Sequence, residues 1–325
     1  MLRLTKPKYF VPLVSLIVAI LLPSFITDYW IYVFTIGFYY MIMAASWNLL
    51  GGVTGQFSLG HHTFAVIGAY TSALMITKVG VSLSIGILSG IILAVMISFL
   101  LGVLCLRVRG LYLALITWAF AEVVRNYIRL DYVFTGGDRG LDVPLFFDSL
   151  KPRPYYFVFL VLAVFTIMLI TVIMRSRIGY YLRAIRNDEV AARAMGVNIV
   201  RFKVFAFIVA SGLAGLGGTF YGHSIGLISP ILGEFNEMAM IIIFVVIGGM
   251  RTQAGPVVGA FSVRILMELL REQSEIRIVI LSAIVIIIMR FFNGGLMELF
   301  RRANTWVQQR RGREPVSAYA ERDEK

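Results

Sequence analysis

The chain has 325 residues, 59% hydrophobic and 15% charged, with a formal net charge of +12 and a mean hydropathy of +0.83. A soluble domain carries about 25% charged residues, so the composition excludes a soluble protein of this length and points to a polytopic membrane protein. The single cysteine, Cys105, excludes an intrachain disulfide and a cysteine-based metal cluster, and basic ends on an apolar chain account for the charge without nucleic acid.

Backbone groups in lipid must be satisfied internally, so long apolar segments read as helices. Apolar runs between charges and Gly/Pro breaks give ten candidate spans, about 10–27, 29–50, 58–77, 81–106, 111–128, 155–174, 204–225, 235–250, 254–272 and 276–293. Arg3, Lys6 and Lys8 precede the first, which resembles a signal peptide. That stretch continues through Ile26 into Thr27-Asp28-Tyr29-Trp30 with no small-residue cleavage site, so it reads as an uncleaved span. The uncharged runs Val81–Leu106 and Pro154–Met174 each exceed the roughly 20 residues that cross a bilayer. The third, fifth, eighth, ninth and tenth segments are short, glycine-interrupted or charged, and one of them is open to a re-entrant reading.

Charge asymmetry orients the set. Residues 175–203 carry a net charge of +5, whereas loop 129–154 balances four basic against four acidic residues. The positive-inside rule then puts 175–203 in the cytoplasm, 129–154 outside and both termini inside. Arg301, Arg302, Arg310, Arg311 and Arg313, in the basic tail 300–325, agree.

Several motifs interrupt the apolar pattern. Leu50 to Phe64 is polar and glycine-rich and holds Gln56, Ser58, His61 and His62. It reads either as a broken helix lining a pathway or as a cytoplasmic turn before a glycine-packed helix. Glu122 lies about 18 Å along a helix from Arg109, where an ionisable residue needs a partner. Arg125, one turn on, is the obvious one, and contact with a substrate ammonium is the alternative. Thr135-Gly136-Gly137-Asp138-Arg139-Gly140 reads as a plain turn or as a backbone nest for a carboxylate. In the basic loop, Asp188 is a natural helix N-cap and Gly196 a natural stop. Val190, Ala191, Ala194 and Met195 share one face between them, so the loop reads as two short surface helices, the second able to enter a groove. Arg264, Glu268, Arg271 and Glu275 fall on one helical face with alternating sign, which suits a polar seam better than lipid.

Absences narrow the function. None of the six lysines follows a glycine, so there is no GxxxxGK[ST] loop for ATP. Neither a Gly-x-Ser-x-Gly elbow nor a His-Glu-x-x-His helix occurs, and the three histidines supply no metal set.

Together these motifs resemble the LivM-type permease subunit of prokaryotic branched-chain amino-acid ABC importers. The resemblance rests on Gly55-Gln56-Phe57-Ser58-Leu59-Gly60-His61-His62-Thr63-Phe64 with Gly68-Ala69-Tyr70, and on Leu113 to Arg125 with Thr135-Gly136-Gly137 and Gly140-Leu141. It continues through Gly179, Arg183 to Glu189, Ala194 to Asn198, Lys203 and Ala206-Phe207, then Ser229-Pro230, Gly248-Gly249, Gly255 to Gly259 and Glu275-Ile276-Arg277. It covers about residues 30–296. The chain departs from the family's usual Arg-Pro-x-Gly-Leu at Arg290 to Leu296, and residues 300–325 match no family pattern.

The resemblance implies an all-α permease of about ten transmembrane helices in the inner membrane, of the type II importer class, spanning residues 1–299. It implies a pathway shared with a second homologous permease, a periplasmic-type binding protein, and two ATPase subunits that hold the ATP and magnesium. This chain then has no cofactor, no catalytic residue and no enzymatic activity of its own. The ATPases would dock under 178–203, through Arg183, Arg186, Asp188, Glu189, Ala191, Ala194 and Gly196. Gln56, Ser58, Glu122, Arg125, Thr135, Gly136 and Gly137 are the candidates for the pathway. Close relatives move urea or short amides, which stands as the alternative substrate class. A self-sufficient secondary transporter or channel is the alternative of another kind.

Overall fold

The computed structural model describes residues 7–105, 108, 110–147, 151–272, 274–291 and 294–298. The basic tail therefore lies outside the described residues. Each expected apolar segment holds one helix: α1 (Pro7–Leu21), α2 (Asp28–Asn48), α3 (His61–Leu74), α4 (Leu83–Cys105), α5 (Leu111–Leu130), α6 (Pro152–Arg175), α9 (Ile199–Ile225), α10 (Phe235–Gly248), α11 (Gly255–Leu269) and α12 (Ser274–Phe291). The basic loop holds two more, α7 (Arg177–Asn187) and α8 (Glu189–Ala194). By length and composition, Asp28–Thr54, Leu83–Leu104, Pro152–Arg175 and Ile199–Ile225 are able to cross a membrane. Leu13–Ser24 and Phe235–Gly248 are shorter apolar helices.

Local chemistry sets several boundaries. Pro152 opens α6, where its missing N–H costs nothing and its fixed φ suits the first turn. Asn198 accepts a hydrogen bond from the Arg201 N–H, so α9 starts before the apolar run expected at 204. Gly226, at φ +80°, ends α9 in a conformation that glycine adopts freely. Past Asn48 the chain of α2 widens into a π turn, Leu49–Thr54, that stops at Gly55.

The core centres on α2. Its window is 89% buried, against 22% for α4, so α2 is the interior post and α4 a peripheral helix. Phe38 meets Tyr156 of α6 edge-on, ring centres 5.2 Å apart, and Phe64 of α3 meets Phe207 of α9 at 5.7 Å. Small residues let α3, α4 and α9 cross closely. A β-carbon at Gly68 would press on the Gly215 carbonyl, and one at Gly90 on the Gly68 carbonyl.

Among the described residues, one two-stranded ladder accompanies the helices. β1 (Leu141–Asp142) pairs antiparallel with β2 (Leu227–Ile228), Leu141 opposite Ile228, and the Val143 N–H donates to the Gly226 carbonyl at 2.9 Å. This ladder ties loop 129–154 to the segment that follows α9. That segment then turns through Pro230–Gly233 and packs on α3 and α5 before α10 begins.

Candidate functional site

The basic segment folds as its caps dictate. Asp188 Oδ1 accepts from the N–H groups of Val190 (2.7 Å) and Ala191 (3.1 Å), which fixes the start of α8. Gly196, at φ +82°, ends it with open space around its α-carbon. Ile185, Ala192 and Ile199 form a small core of their own, with Val197 and Phe202 against it. The opposite face is bare: Val190 is 72% and Met195 85% exposed, and Ala191, Arg193 and Ala194 are exposed beside them. Arg183 lies over the Tyr180 ring and donates to the Met174 carbonyl at 3.3 Å. Glu189 pairs with Lys203, which is buried at the start of α9, so α8 is pinned to a long helix by an ion pair.

The glycine-rich segment lies against that unit. Arg186 packs over Gly55. Burial, and then the nearby charge of Arg251, push its guanidinium below the usual arginine value. Gln56 Nε2 donates to Thr54 Oγ1 at 2.9 Å and to the Lys203 carbonyl at 3.4 Å, and Trp47 Nε1 donates to the Ser58 carbonyl at 2.8 Å. Gln56 and Ser58 are both buried and do not reach the surface of the chain. The Leu59 N–H donates to Thr117 Oγ1 on α5 at 3.0 Å. His61 contacts Ser46 Oγ at 2.9 Å and His62 the Gly233 carbonyl at 3.0 Å. The segment thus joins the basic unit to α5 and to the turn before α10.

On α5, Glu122 and Arg125 form the expected pair. Arg125 donates to Glu122 Oε2 from Nη2 at 2.7 Å and from Nε at 3.1 Å, and the two side chains are 28% and 21% exposed. Arg125 packs on Gly233, beside His62, and Asn126 is exposed next to the pair. Trp118, one turn before Glu122, meets Phe235 edge-on at 6.0 Å.

The charged stripe of α11 faces α2. Arg264 reaches Glu268 at 3.3 Å, Glu268 accepts from the Tyr29 hydroxyl, and Arg271 donates to Tyr29 at 2.6 Å. That is a seam, as the alternating charge suggested, although the Glu275 side chain lies outside the described residues. Sequence reading missed what lies deeper in it. Tyr40 donates to Glu237 Oε2 at 3.0 Å, and Tyr39 stacks on Tyr221 with ring centres 4.3 Å apart. Neither contact has a local signature, since their partners stand far apart in the chain.

At the end of α5, Thr135 is buried and its hydroxyl donates to the Ile128 and Asp131 carbonyls, an anchoring role. Gly136, Gly137 and Gly140 all take positive φ. Arg129 Nε donates to Asp138 Oδ1 at 2.6 Å, and this bond holds the Asp138 carboxyl below its ordinary value. Gly136, Gly140, Tyr132, Arg139, Asp142 and Leu227 line an open cavity of about 580 Å³. Gly137 is buried beneath it, so only Gly136 of the expected trio reaches that cavity. Among the described residues, no group of three or more His, Cys, Asp or Glu could hold a metal ion.

Residues 29–292 match the family model for branched-chain amino acid transport system permease components. The high-affinity branched-chain amino acid transport permease protein LivM of Escherichia coli K12 is 30% identical over 91% of this chain and 76% of its own. LivM of Salmonella typhimurium stands at the same values. LivH of Salmonella typhimurium is 23% identical over 69% of this chain and 79% of its own. No solved structure matches the chain significantly.

Proposed function

The chain belongs to the branched-chain amino acid transport permease family, and on that premise we propose that it is the membrane subunit of an ATP-driven importer of leucine, isoleucine and valine. The observation that carries the coupling role is the α7–α8 unit. It joins a capped helix with a bare small-residue face to an ion pair rooted in α9. Two ATPase subunits would seat on Ala191 and Ala194 and hold the ATP and magnesium. A second permease of the LivH kind would complete the pathway, and a periplasmic-type binding protein would deliver substrate.

The ten apolar helices cross the inner membrane and leave both termini in the cytoplasm, on the charge asymmetry of 175–203 and 129–154. The ends of α2, α6 and α11 support this arrangement: Asp28 lies 4.0 Å from Arg153, and Tyr29 meets Arg271. All four residues stand at or just past helix ends assigned to the outer side. Glu122, Arg125 and Asn126 are half-exposed or exposed on α5, a charged face unsuited to lipid, and would line the path. This subunit performs no chemistry; it holds two conformations whose populations its partners bias.

A cysteine at Ala194, in a background with Cys105 replaced by serine, tests the assignment. It is expected to crosslink to an ATPase subunit and to react with impermeant maleimide from the cytoplasmic side alone. Labelling from outside would reverse the topology, and failure to crosslink would remove the docking role.

A further inference from the structure

The seam between α2, α9, α10 and α11 contains a carboxylate that, among the described residues, stands outside any ion pair. Tyr40 stands about 18 Å along α2 from Asp28 and about 12 Å from Asn48, in the middle of a membrane-length helix. Glu237, in the first turn of α10, accepts its hydroxyl at 3.0 Å. Among the described residues Glu237 has no ion pair. Arg264, whose charge reaches Glu237, Tyr40 and Tyr221, pairs through Nη2 with Glu268 at 3.3 Å and leaves its buried Nε without a hydrogen-bond partner. Glu122 differs, because Arg125 neutralises it through two hydrogen bonds.

A half-buried carboxylate at this depth is costly unless a cation joins it. The surroundings suit one. Tyr39 stacks on Tyr221, and Tyr40 meets Phe244 edge-on at 4.9 Å, so aromatic rings cluster on the Tyr40 side of the carboxylate, and such rings attract cations. Tyr32, two turns before Tyr39 on α2, is 48% exposed, and Asn236, next to Glu237, is exposed, so this cluster lies beside the surface of the chain.

We propose that Glu237, positioned by Tyr40, receives the ammonium group of an α-amino acid as it crosses the membrane. The inference rests on the importer reading and narrows its substrate class, because urea and simple amides carry no ammonium for Glu237 to bind.

The test uses the complete importer in liposomes, with ATP-driven leucine uptake and binding-protein-stimulated ATP hydrolysis measured side by side. Glu237→Gln is expected to lower uptake about tenfold or more, as loss of a charge-assisted hydrogen bond implies, with stimulated hydrolysis within about twofold of wild type. Glu237→Asp, which keeps the charge, should recover much of the uptake. If Glu237→Gln does not assemble, Tyr40→Phe should still reduce uptake several-fold with hydrolysis retained. Unchanged leucine uptake in Glu237→Gln, or in Tyr40→Phe when that variant stands in for it, would overturn the role of Glu237. So would parallel loss of uptake and hydrolysis in every variant. Wild-type complexes that import amides and not leucine would overturn the importer's substrate, and the inference with it.

Discussion

Glu122 and Arg125 stand one helical turn apart and share two hydrogen bonds at about a quarter exposure. Replacing Glu122 by Gln leaves the guanidinium under-compensated and should cost about 1.5–3 kcal/mol, the range for hydrogen bonds to charged groups. The double change with Arg125→Gln should recover membrane-inserted protein, because both charges then leave together. Membrane-fraction yield and thermal melting would read this, and strict additivity of the two changes would reject the pairing. This pair was legible in the sequence because helix geometry alone brings i and i+3 together. Tyr40 and Glu237 were not, since only the packing of α2 against α10 makes them neighbours. Asp138 offers a pH test. Its depressed carboxyl stabilises the turn after α5 above the ordinary aspartate range, and that contribution is lost as pH falls through the lowered value. Hydrogen exchange across 131–147 should therefore rise in wild type at acid pH and already be raised at neutral pH in Asp138→Asn. Identical profiles in the two proteins would remove the role of Arg129.

In α8, adjacent alanines have opposite surroundings. Ala191 is exposed, whereas Ala192 is 5% exposed within the small core of Ile185 and Ile199. Ala191→Trp should leave the helix folded and uncouple ATP hydrolysis from uptake, because a bulky ring holds a docking face out of its groove. Ala192→Trp should instead unfold the α7–α8 unit by overpacking, visible as proteolysis between Arg177 and Arg201. Equal behaviour of the two variants would contradict the face assigned to docking. Asp188→Ala should cost about 1 kcal/mol of local stability through loss of the cap. The caps and stops of this unit were readable because they are local chemistry. The glycine-rich segment was less so. Its sequence allowed either a broken pathway helix or a turn, and the structure has a π turn at Leu49–Thr54 followed by buried Gln56 and Ser58. Lys203, Arg186 and Thr117 hold it from distant parts of the chain, contacts that no local pattern encodes.

Across the whole molecule, hydropathy located the helices but not their neighbours. Val81–Leu106 and Pro154–Met174 look alike as apolar runs, yet the helices they form are 22% and 39% buried, while α2, with more polar residues, is 89% buried. Polar groups gather where helices meet, so the less apolar helix is the central one. The β1–β2 ladder escaped the sequence for a similar reason, since two residues on each side are too few to show an alternating pattern. The proposed function makes this chain a subunit that depends on partners for energy and for half of its pathway. Leucine uptake into liposomes measures that dependence most directly, comparing this chain alone with the chain joined by its partner permease, two ATPases and binding protein. ATP-dependent accumulation by the full set, with none by the chain alone, is the expected result. Uptake by the purified chain without ATPases would make it a self-sufficient transporter and contradict the account.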